Sequence, residues 1–434
     1  MTAKVQLWGR TIGAVSMEEG NTYAAFQYDP DFARSGIELS PVTMPLSNRV
    51  YAFPELPRNT FHGLPGLLAD SLPDRFGNAL IDAWLAGLGR TSESFNAVER
   101  LCYTGRRGMG ALEFAPELGP KPRKATRIDV DALVKLASEV LSRRESLSGS
   151  FSSKTRQKTM NDILRVGTSA GGARAKAVIA WNRETNEVRS GQIAAGSGFE
   201  YWLLKFDGVN GNKDRELEDQ KGYGAIEYAY HLMARAAGVE MSECRLLEEN
   251  GRRHFMTRRF DRLSGGEKLH MQSLGALAHF DFNQPGVHAC EQALLTIRRL
   301  DLPMKSMEEQ FRRTVFNIVA RNQDDHVKNI AFLMNKAGQW SLAPAFDVTY
   351  SYNPDGPWTA THQMTLNGKR GGFTMEDFRT CARNASMKRG SADRIVEEVR
   401  AAVVRWPEFA ERAKVEDAWR DEITKQHRLS FPGA

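Results

Sequence analysis

The sequence contains few cysteines and no long apolar run. Its four cysteines are spread over 434 residues, and no two of them form a CxxC pair. This spacing excludes a disulfide framework and a cysteine-based zinc site. No apolar stretch has the length of a membrane-spanning helix, and strand-like alternation begins close to the first residue. We therefore expect a cytoplasmic protein in a reducing compartment, with no membrane partner.

Repeats and common metal motifs are also missing. We find no internal repeat, no heptad pattern and no histidine cluster with the spacing of metal ligands. Hydrophobic residues make up 41% and charged residues 26%, which is typical of a globular protein, and the length allows two or three domains. The net charge of +6 permits contact with phosphate groups but does not require it.

One polar loop and the segment after it hold a dense, ordered set of acids and amides. Asp324 and Asn329 bracket the loop, and Asp347 follows two apolar runs separated by a turn at 335–338. The runs, 330–334 and 340–346, are typical of strands. If they pair as an antiparallel hairpin, the residues just before the first strand and just after the second lie at the same end. We therefore expect Asn329 and Asp347 to converge, with Asp324 nearby.

Two carboxylates and an amide, with Lys328 between them, are suited to phosphoryl transfer from a magnesium nucleotide. One Asp accepts the proton of the attacking hydroxyl, while Asn and the second Asp supply hard oxygen ligands to the metal. The order Asp, four residues, Asn, hairpin, Asp matches the catalytic and metal-binding loops of protein kinases, although no His-Arg-Asp or Asp-Phe-Gly triplet is present. Alternatively, these residues only cap the turns of a polar hairpin.

A loop of small residues precedes a predicted strand near residue 176. Gly171, Gly172 and Ala173 leave backbone N–H groups free to approach a phosphate, and Arg174 and Lys176 add positive charge. The loop is not a Walker A motif, because a strand pattern follows Lys176. A nucleotide-binding loop and a glycine-containing hairpin without a ligand both remain open.

A lysine and a glutamate further along the chain fit the same chemistry. Lys205 lies in the apolar strand predicted at 200–206, where a charge is costly unless it is paired. Glu227 begins a predicted helix at 227–235. Kinases use a strand lysine on the nucleotide phosphates and a helix glutamate that holds it. The alternative is two unrelated surface charges.

The chain predicts an α+β protein in three parts. Residues 1–120 are β-rich with one helix at 78–88, residues 121–255 mix strands and helices around the small-residue loop, and residues 256–434 are mainly helical. The face of the first helix is predicted to turn Leu80, Ile81, Trp84, Leu85 and Leu88 inward. A strand is expected at 256–262.

The helices predicted in the last sixty residues are basic. One should begin at Thr374 with Asp377 in a capping box, and another at Ser391 with Trp406 at the end of its buried face. The local excess of arginine and lysine is typical of a solvated face, and contact with nucleic acid is the alternative.

The ordered motifs resemble those of the HipA family of serine/threonine kinases, which are the toxins of type II toxin–antitoxin modules. Besides the residues above, the resemblance includes Arg259-Phe260-Asp261-Arg262 and the segment from Leu64 to Asp74, so it covers nearly the whole chain. It implies a two-lobed, protein-kinase-like core with a β-rich N-lobe and a helical C-lobe, preceded by an added β-rich N-terminal subdomain.

The resemblance also implies a role for each matching residue. Asp324 matches the catalytic base, Asn329 and Asp347 match the Mg²⁺ ligands, and Lys205 matches the lysine on the ATP phosphates. Ser169 matches a loop serine that family members autophosphorylate to silence the enzyme. Because this loop departs from the commoner Ala-Gln-Glu-Lys ending, Thr168 stays open as the acceptor.

Partners follow from the resemblance as well. It implies a growth-inhibiting toxin that is held by a small helix-turn-helix antitoxin, which carries most of the contact with operator DNA. The target would be a protein, with the translation machinery as the family-level expectation. Two other functions remain open: a nucleotide-binding pseudokinase within a repressor complex, and a kinase of small hydroxylated molecules.

Overall fold

The computed structural model describes residues 1–119, 128–142, 174–192, 195–209, 213–214, 217–218, 221–263 and 266–433. The predicted loop residues Thr168, Ser169, Gly171, Gly172 and Ala173 lie outside these ranges. The chain divides into two compact units. The N-terminal unit comprises Met1–Lys221, Arg245–Gln272 and Met334–Gln339, and the C-terminal unit comprises Gly222–Cys244, Ser273–Leu333 and Trp340–Ala434.

The first sheet of the N-terminal unit is antiparallel, with five strands in the order β4-β3-β2-β1-β5. Its strands are β1 (Thr2–Leu7), β2 (Arg10–Ser16), β3 (Ala25–Tyr28), β4 (Val50–Tyr51) and β5 (Leu112–Ala115). Burial alternates along β1, so one face packs inward, as the sequence pattern predicts. The helices around this sheet are α1 (Pro30–Ala33), α2 (Arg58–Phe61), α3 (Gly66–Ala69), α4 (Arg75–Gly87) and α5 (Ala97–Thr104), with a 3-10 turn at Ser92–Ser94.

Helix α4 confirms the helix predicted at 78–88, with one error at its end. Leu80, Ile81 and Leu85 are fully buried, and Trp84 packs against the same core. Leu88 is 59% exposed, so its predicted inward orientation is wrong. The reason is that the helix stops at Gly87, and the periodic face ends with it.

A second five-stranded sheet has the order β11-β12-β8-β6-β7. Its region contains α6 (Val130–Ser142), β6 (Lys176–Trp181), β7 (Val188–Ser190), β8 (Glu200–Lys205), β9 (Lys213–Asp214), β10 (Leu217–Glu218), β11 (Cys244–Glu249) and β12 (Arg252–Arg258). One hydrophobic core joins α4 and α6 to β6, β8 and β12. The strand predicted at 256–262 is shifted, because β12 already ends at Arg258.

The C-terminal unit is mainly helical, as predicted. Its helices are α7 (Tyr223–Ala236), α8 (Leu274–Ala278), α9 (Cys290–Arg299), α10 (Met304–Val319), α11 (Met375–Asn384), α12 (Ser391–Val403), α13 (Trp406–Arg412) and α14 (Asp417–Gln426). The remaining elements of the chain are β13 (His270–Ser273), β14 (Ala331–Met334), β15 (Trp340–Leu342) and the 3-10 turn Val327–Asn329, of which residues 270–272 and Met334 belong to the N-terminal unit. Asp377 accepts the Thr374 backbone N–H at 2.7 Å, which confirms that half of the predicted capping box.

Trp406 is buried, but it begins α13 instead of ending α12. The proline that follows it suits the first turn of a new helix, because a proline N–H is not needed there. The α+β class is confirmed, while the division at residues 120 and 255 remains a prediction.

All four cysteines are free and buried. Within the described ranges, no helix combines the length and the apolar character that crossing a bilayer would need.

Candidate active site

The predicted hairpin is present and places two site residues beyond the same end. Ala343 N donates to Ala331 O at 2.9 Å, and Asn335 N donates to Gln339 O at 3.1 Å. These two pairs define an antiparallel register between β14 and β15. Asn329 precedes β14 and Asp347 follows β15, so both extend from the open end of the hairpin.

The second strand is shorter than the predicted run 340–346. It ends at Leu342, and Ala345 N then donates to Glu240 O at 2.8 Å. Pro344 has no N–H, so the hairpin ladder cannot continue through it. After β15, Ala345 forms a parallel bridge with Met241. Asp347 follows this bridge by two residues.

Asp324 is held by backbone and side-chain hydrogen bonds. Its backbone N–H donates to Ser351 Oγ at 2.9 Å, and Trp358 Nε1 donates to its Oδ1 at 2.7 Å. The side chain of Asp324 is 32% exposed. The carboxylate is therefore both oriented and accessible, as a base that receives the proton of an incoming hydroxyl must be.

Asn329 has a defined amide orientation. Its Nδ2 donates to the carbonyl oxygen of Asp324 at 2.9 Å, which leaves Oδ1 as the amide atom for a cation. Asp347 is half-buried and lies in the left-handed region with φ of 52°, a conformation that aspartate tolerates better than most residues.

The two residues fit an Mg²⁺ ion, which commonly takes one or two protein carboxylates and completes its shell with phosphate oxygens and water. The described residues contain no group of three or more His, Cys, Asp or Glu that could hold a metal by themselves.

Lys328 lies between Asp324 and Asn329 on the 3-10 turn. Its Nζ is 5.1 Å from the ring centre of Phe282, within the range of a cation–π contact. Its predicted place in the catalytic set remains a prediction.

The predicted nucleotide lysines are neighbours on the second sheet of the N-terminal unit. Lys176 and Lys205 are directly opposite in the antiparallel register of β6 and β8, and both are buried. Lys176 Nζ lies 3.3 Å from Asp74 Oδ2. Sequence analysis missed Asp74. Its position before a helical pattern is an N-cap signal that could have identified it as a cap, but not as a partner of Lys176.

Glu227 and Arg174 have separate surroundings. Glu227 is buried on α7 of the C-terminal unit, whereas Lys205 belongs to the N-terminal unit, so their predicted pairing stays a prediction. Arg174 lies two residues before β6 and is half-buried. Arg259 and Arg262 contact the buried Asp261 at 2.6 and 2.7 Å, so this motif stabilises the fold.

A buried network around Asp325, the neighbour of Asp324, was not predicted. His362 Nδ1 lies 2.9 Å from Asp325 Oδ2, and His362 Nε2 lies 2.7 Å from Arg428 Nη1. Since arginine can only donate, Nε2 accepts and Nδ1–H donates to the carboxylate. Arg428 also donates to Gln323 Oε1 at 3.1 Å. These residues are far apart in sequence, so no local pattern could have revealed the network.

Comparison with known families decides the identity. The family model described as HipA-like C-terminal domain matches residues 168–406, which is more than half of the chain, and the model described as HipA N-terminal domain matches residues 3–115. The chain belongs to the HipA family. No curated protein matches it.

Two solved structures are similar to this HipA family member. The first is the Shewanella oneidensis MR-1 toxin–antitoxin system HipA, HipB and its operator DNA complex, with a TM-score of 0.66 and 16% identity over 98% of this chain and 94% of that chain. The second is the Helicobacter pylori proinflammatory kinase CtkA, with a TM-score of 0.31 and 12% identity over 50% and 91%. The first match confirms the HipA fold, and the second is too distant to support an argument.

Proposed function

We propose that this chain is a magnesium-dependent kinase that transfers the γ-phosphoryl group of ATP to serine or threonine, and that it is the toxin of a toxin–antitoxin module. The observation that carries the proposal is the Asp324 carboxylate, which is oriented by Trp358, remains 32% exposed, and is joined through its backbone to Asn329. A base and a metal-ligand amide on one short loop suit phosphoryl transfer.

Each predicted residue has a role in this proposal. Asp324 accepts the proton of the target hydroxyl, and Lys328 adds positive charge on the same turn. Asn329 and Asp347 hold Mg²⁺, which when bound neutralises charge on the phosphates. Lys205, supported by Glu227, and the loop from Gly171 to Lys176 bind ATP, and Ser169 is the proposed site of autophosphorylation.

The proposed partners are a small helix-turn-helix antitoxin, operator DNA bound mainly through that antitoxin, and a protein of the translation machinery as substrate. Several arginines of the basic C-terminal region are neutralised: Arg379 contacts Asp393 at 2.6 Å, and Arg383 contacts Glu376 at 3.1 Å. Such pairs favour the solvated-face interpretation over direct DNA binding. We propose a cytoplasmic location on the amino-acid sequence alone.

The test is incubation of the purified protein with labelled ATP and Mg²⁺, followed by mass spectrometry of the modified residue. Asp324→Asn should abolish labelling because the base is lost, and Asp347→Ala should abolish it because a metal ligand is lost. Asp393→Asn, at an exposed ion pair, is the control and should be labelled normally. Ser169→Ala should lose the autophosphorylation site while retaining transfer to a protein substrate.

Other outcomes select the alternatives. ATP binding without labelling of any form would favour the pseudokinase. Transfer to a small alcohol but to no protein would favour a kinase of small hydroxylated molecules. Undiminished turnover by Asp347→Ala would contradict the metal assignment.

A further inference from the structure

Residues 351–363 follow Asp347 and contact the loop 321–329, which carries the proposed base. Trp358 Nε1 donates to Asp324 Oδ1 at 2.7 Å. Ser351 Oγ accepts the backbone N–H groups of Gln323 and Asp324 at 2.7 and 2.9 Å. The segment therefore holds both the backbone and the side chain of Asp324.

We infer that Trp358 is a positioning residue, whose indole N–H orients the Asp324 carboxylate for proton acceptance. The inference deepens the proposed kinase function and rests on it. The backbone of Asp324 is already fixed by Ser351 on its N–H and by Asn329 Nδ2 on its carbonyl. The hydrogen bond from Trp358 acts on the carboxylate itself, where it limits rotation about χ2, a torsion that is broad for aspartate.

The chemistry of the indole suits this role. An indole N–H only donates, so it stabilises the carboxylate without competing for the proton that the base must accept. Side-chain exposure of 32% keeps the Asp324 carboxylate within reach of a hydroxyl, which argues against a blocking role for Trp358.

Trp358 is itself held by its neighbours in the chain. Gln363 Nε2 donates to the Trp358 carbonyl, and Gln323 Nε2 donates to the Thr359 carbonyl at 2.9 Å. Gln363 N also donates to Asp325 Oδ1 at 2.8 Å. Thr359 is thus bonded to Gln323, and Trp358 is linked through Gln363 to Asp325, so the two attachments lie on either side of the base. A positioning group needs such support, because small displacements at a catalytic group are costly.

The network beneath Trp358 extends this support to the end of the chain. His362 Nδ1 contacts Asp325 at 2.9 Å, and Arg428 Nη1 contacts His362 Nε2 at 2.7 Å. Asp325, His362 and Arg428 are therefore structural supports, whereas Trp358 alone in this segment donates from its side chain to the base among the described hydrogen bonds.

The kinetic test compares Trp358→Phe with Trp419→Phe, a half-buried tryptophan on α14 that serves as the matched control. Phenylalanine keeps the aromatic ring but removes the N–H donor. We expect kcat for phosphoryl transfer to fall roughly 10- to 100-fold in Trp358→Phe, the range that corresponds to losing a hydrogen bond to a charged group. KM for ATP and the urea unfolding midpoint should not change, and Trp419→Phe should behave like the unsubstituted protein.

Unchanged kcat in Trp358→Phe would overturn the inference while the kinase proposal stands. A rise in kcat would overturn it in favour of a blocking contact. A fall in kcat accompanied by weaker ATP binding or a lower unfolding midpoint would reduce Trp358 to a structural residue.

A second measurement detects the contact without turnover. The Trp358 indole N–H resonance, assigned by its loss in Trp358→Phe, should be protected from hydrogen exchange and should shift in Asp324→Asn. A rapidly exchanging resonance would overturn the inference by itself. A protected resonance in a protein that transfers no phosphate would instead contradict the proposed function, and the positioning role with it.

Discussion

The Asp325 carboxylate is buried and accepts hydrogen bonds on both of its oxygens. Gln363 N donates to Oδ1 at 2.8 Å, and His362 Nδ1 donates to Oδ2 at 2.9 Å. Arg428 reaches the same cluster through the other nitrogen of His362, at 2.7 Å. Asp325 therefore supports the loop that carries Asp324. The two neighbours differ because Asp325 is buried, whereas the Asp324 side chain is 32% exposed.

We predict that Asp325→Asn destabilises the protein by about 2–4 kcal/mol, because an amide N–H would face donors and Arg428 would lose a nearby compensating charge. Urea unfolding gives the free energy directly. The control is Asp393→Asn, whose exposed pair with Arg379 should leave the free energy of unfolding almost unchanged. Equal effects of the two substitutions would contradict the structural role of Asp325.

A second residue, Asp74, joins one element to another. Its Oδ1 accepts the Gly77 backbone N–H at 2.6 Å and so caps helix α4, while its Oδ2 lies 3.3 Å from Lys176 Nζ on strand β6. Lys205 stands opposite Lys176 in the sheet register, so two lysines occupy neighbouring positions on one face. A carboxylate at this place reduces the repulsion between them.

Two substitutions of Asp74 distinguish its contribution as a helix cap from its contribution as a charge beside Lys176. Asparagine caps helices about as well as aspartate, so Asp74→Asn tests the charge, whereas Asp74→Ala removes both. We expect Asp74→Asn to cost about 3–5 kcal/mol, the range for removing one partner of a buried ion pair, and Asp74→Ala to cost about 1 kcal/mol more.

The measurement is urea unfolding of both variants and of their combinations with Lys176→Met. In the double variants the losses should be less than additive, since the lysine charge is no longer there to be compensated. Strict additivity would show that Asp74 and Lys176 act independently.

In the part of the chain that the structure describes, burial lowers the pKa of at least five histidines. The pKa falls to about 4 for His231 and His254 and to about 3 for His270 and His427, and burial also lowers the pKa of His288. His254 Nδ1 accepts the Asp207 backbone N–H at 2.9 Å, which is consistent with a neutral ring. In the unfolded chain each would titrate near its ordinary pKa of about 6.5.

These pKa shifts predict acid sensitivity. Between about pH 6.5 and the folded pKa values, the unfolded chain binds more protons, so the free energy of unfolding falls as pH falls. The loss should reach roughly 1.4 kcal/mol per pH unit for each histidine, or about 5 kcal/mol per unit for the four whose pKa values fall to about 3 or 4. Urea unfolding at pH 7.5, 6.5, 5.5 and 5.0 measures the slope.

The control is His254→Gln, which keeps an acceptor for Asp207 N and should reduce the slope by roughly 1.4 kcal/mol per pH unit, about a quarter of the contribution of those four histidines. A free energy of unfolding that does not change from pH 6.5 to 5.0 would show that these rings are accessible to protons in the folded protein.

Much of the molecule follows from local pattern. Strand alternation in 1–28 and the periodic faces of α4 and α12 were readable because burial repeats with the period of each element. The hairpin between Asn329 and Asp347 was readable because it is a local pattern, whereas the convergence of Asp324, Asn329 and Asp347 on one site stays a prediction. Errors occurred where an element stopped, at Leu88, Pro344 and Trp406, since the ends depend on neighbouring chain as well as on period.

Other features required the tertiary structure. Trp358 reaches Asp324 across 34 residues, and Arg428 reaches His362 across 66. Asp74 meets Lys176 only because a helix packs against a sheet formed much later in the chain. The sequence by itself determined the family and the fold class, since these depend on local order and spacing, and it predicted the residues for phosphoryl transfer. Only the tertiary structure decided which distant side chains contact Asp324 and Asp325, because a hydrogen bond between distant residues leaves no periodic trace in the sequence.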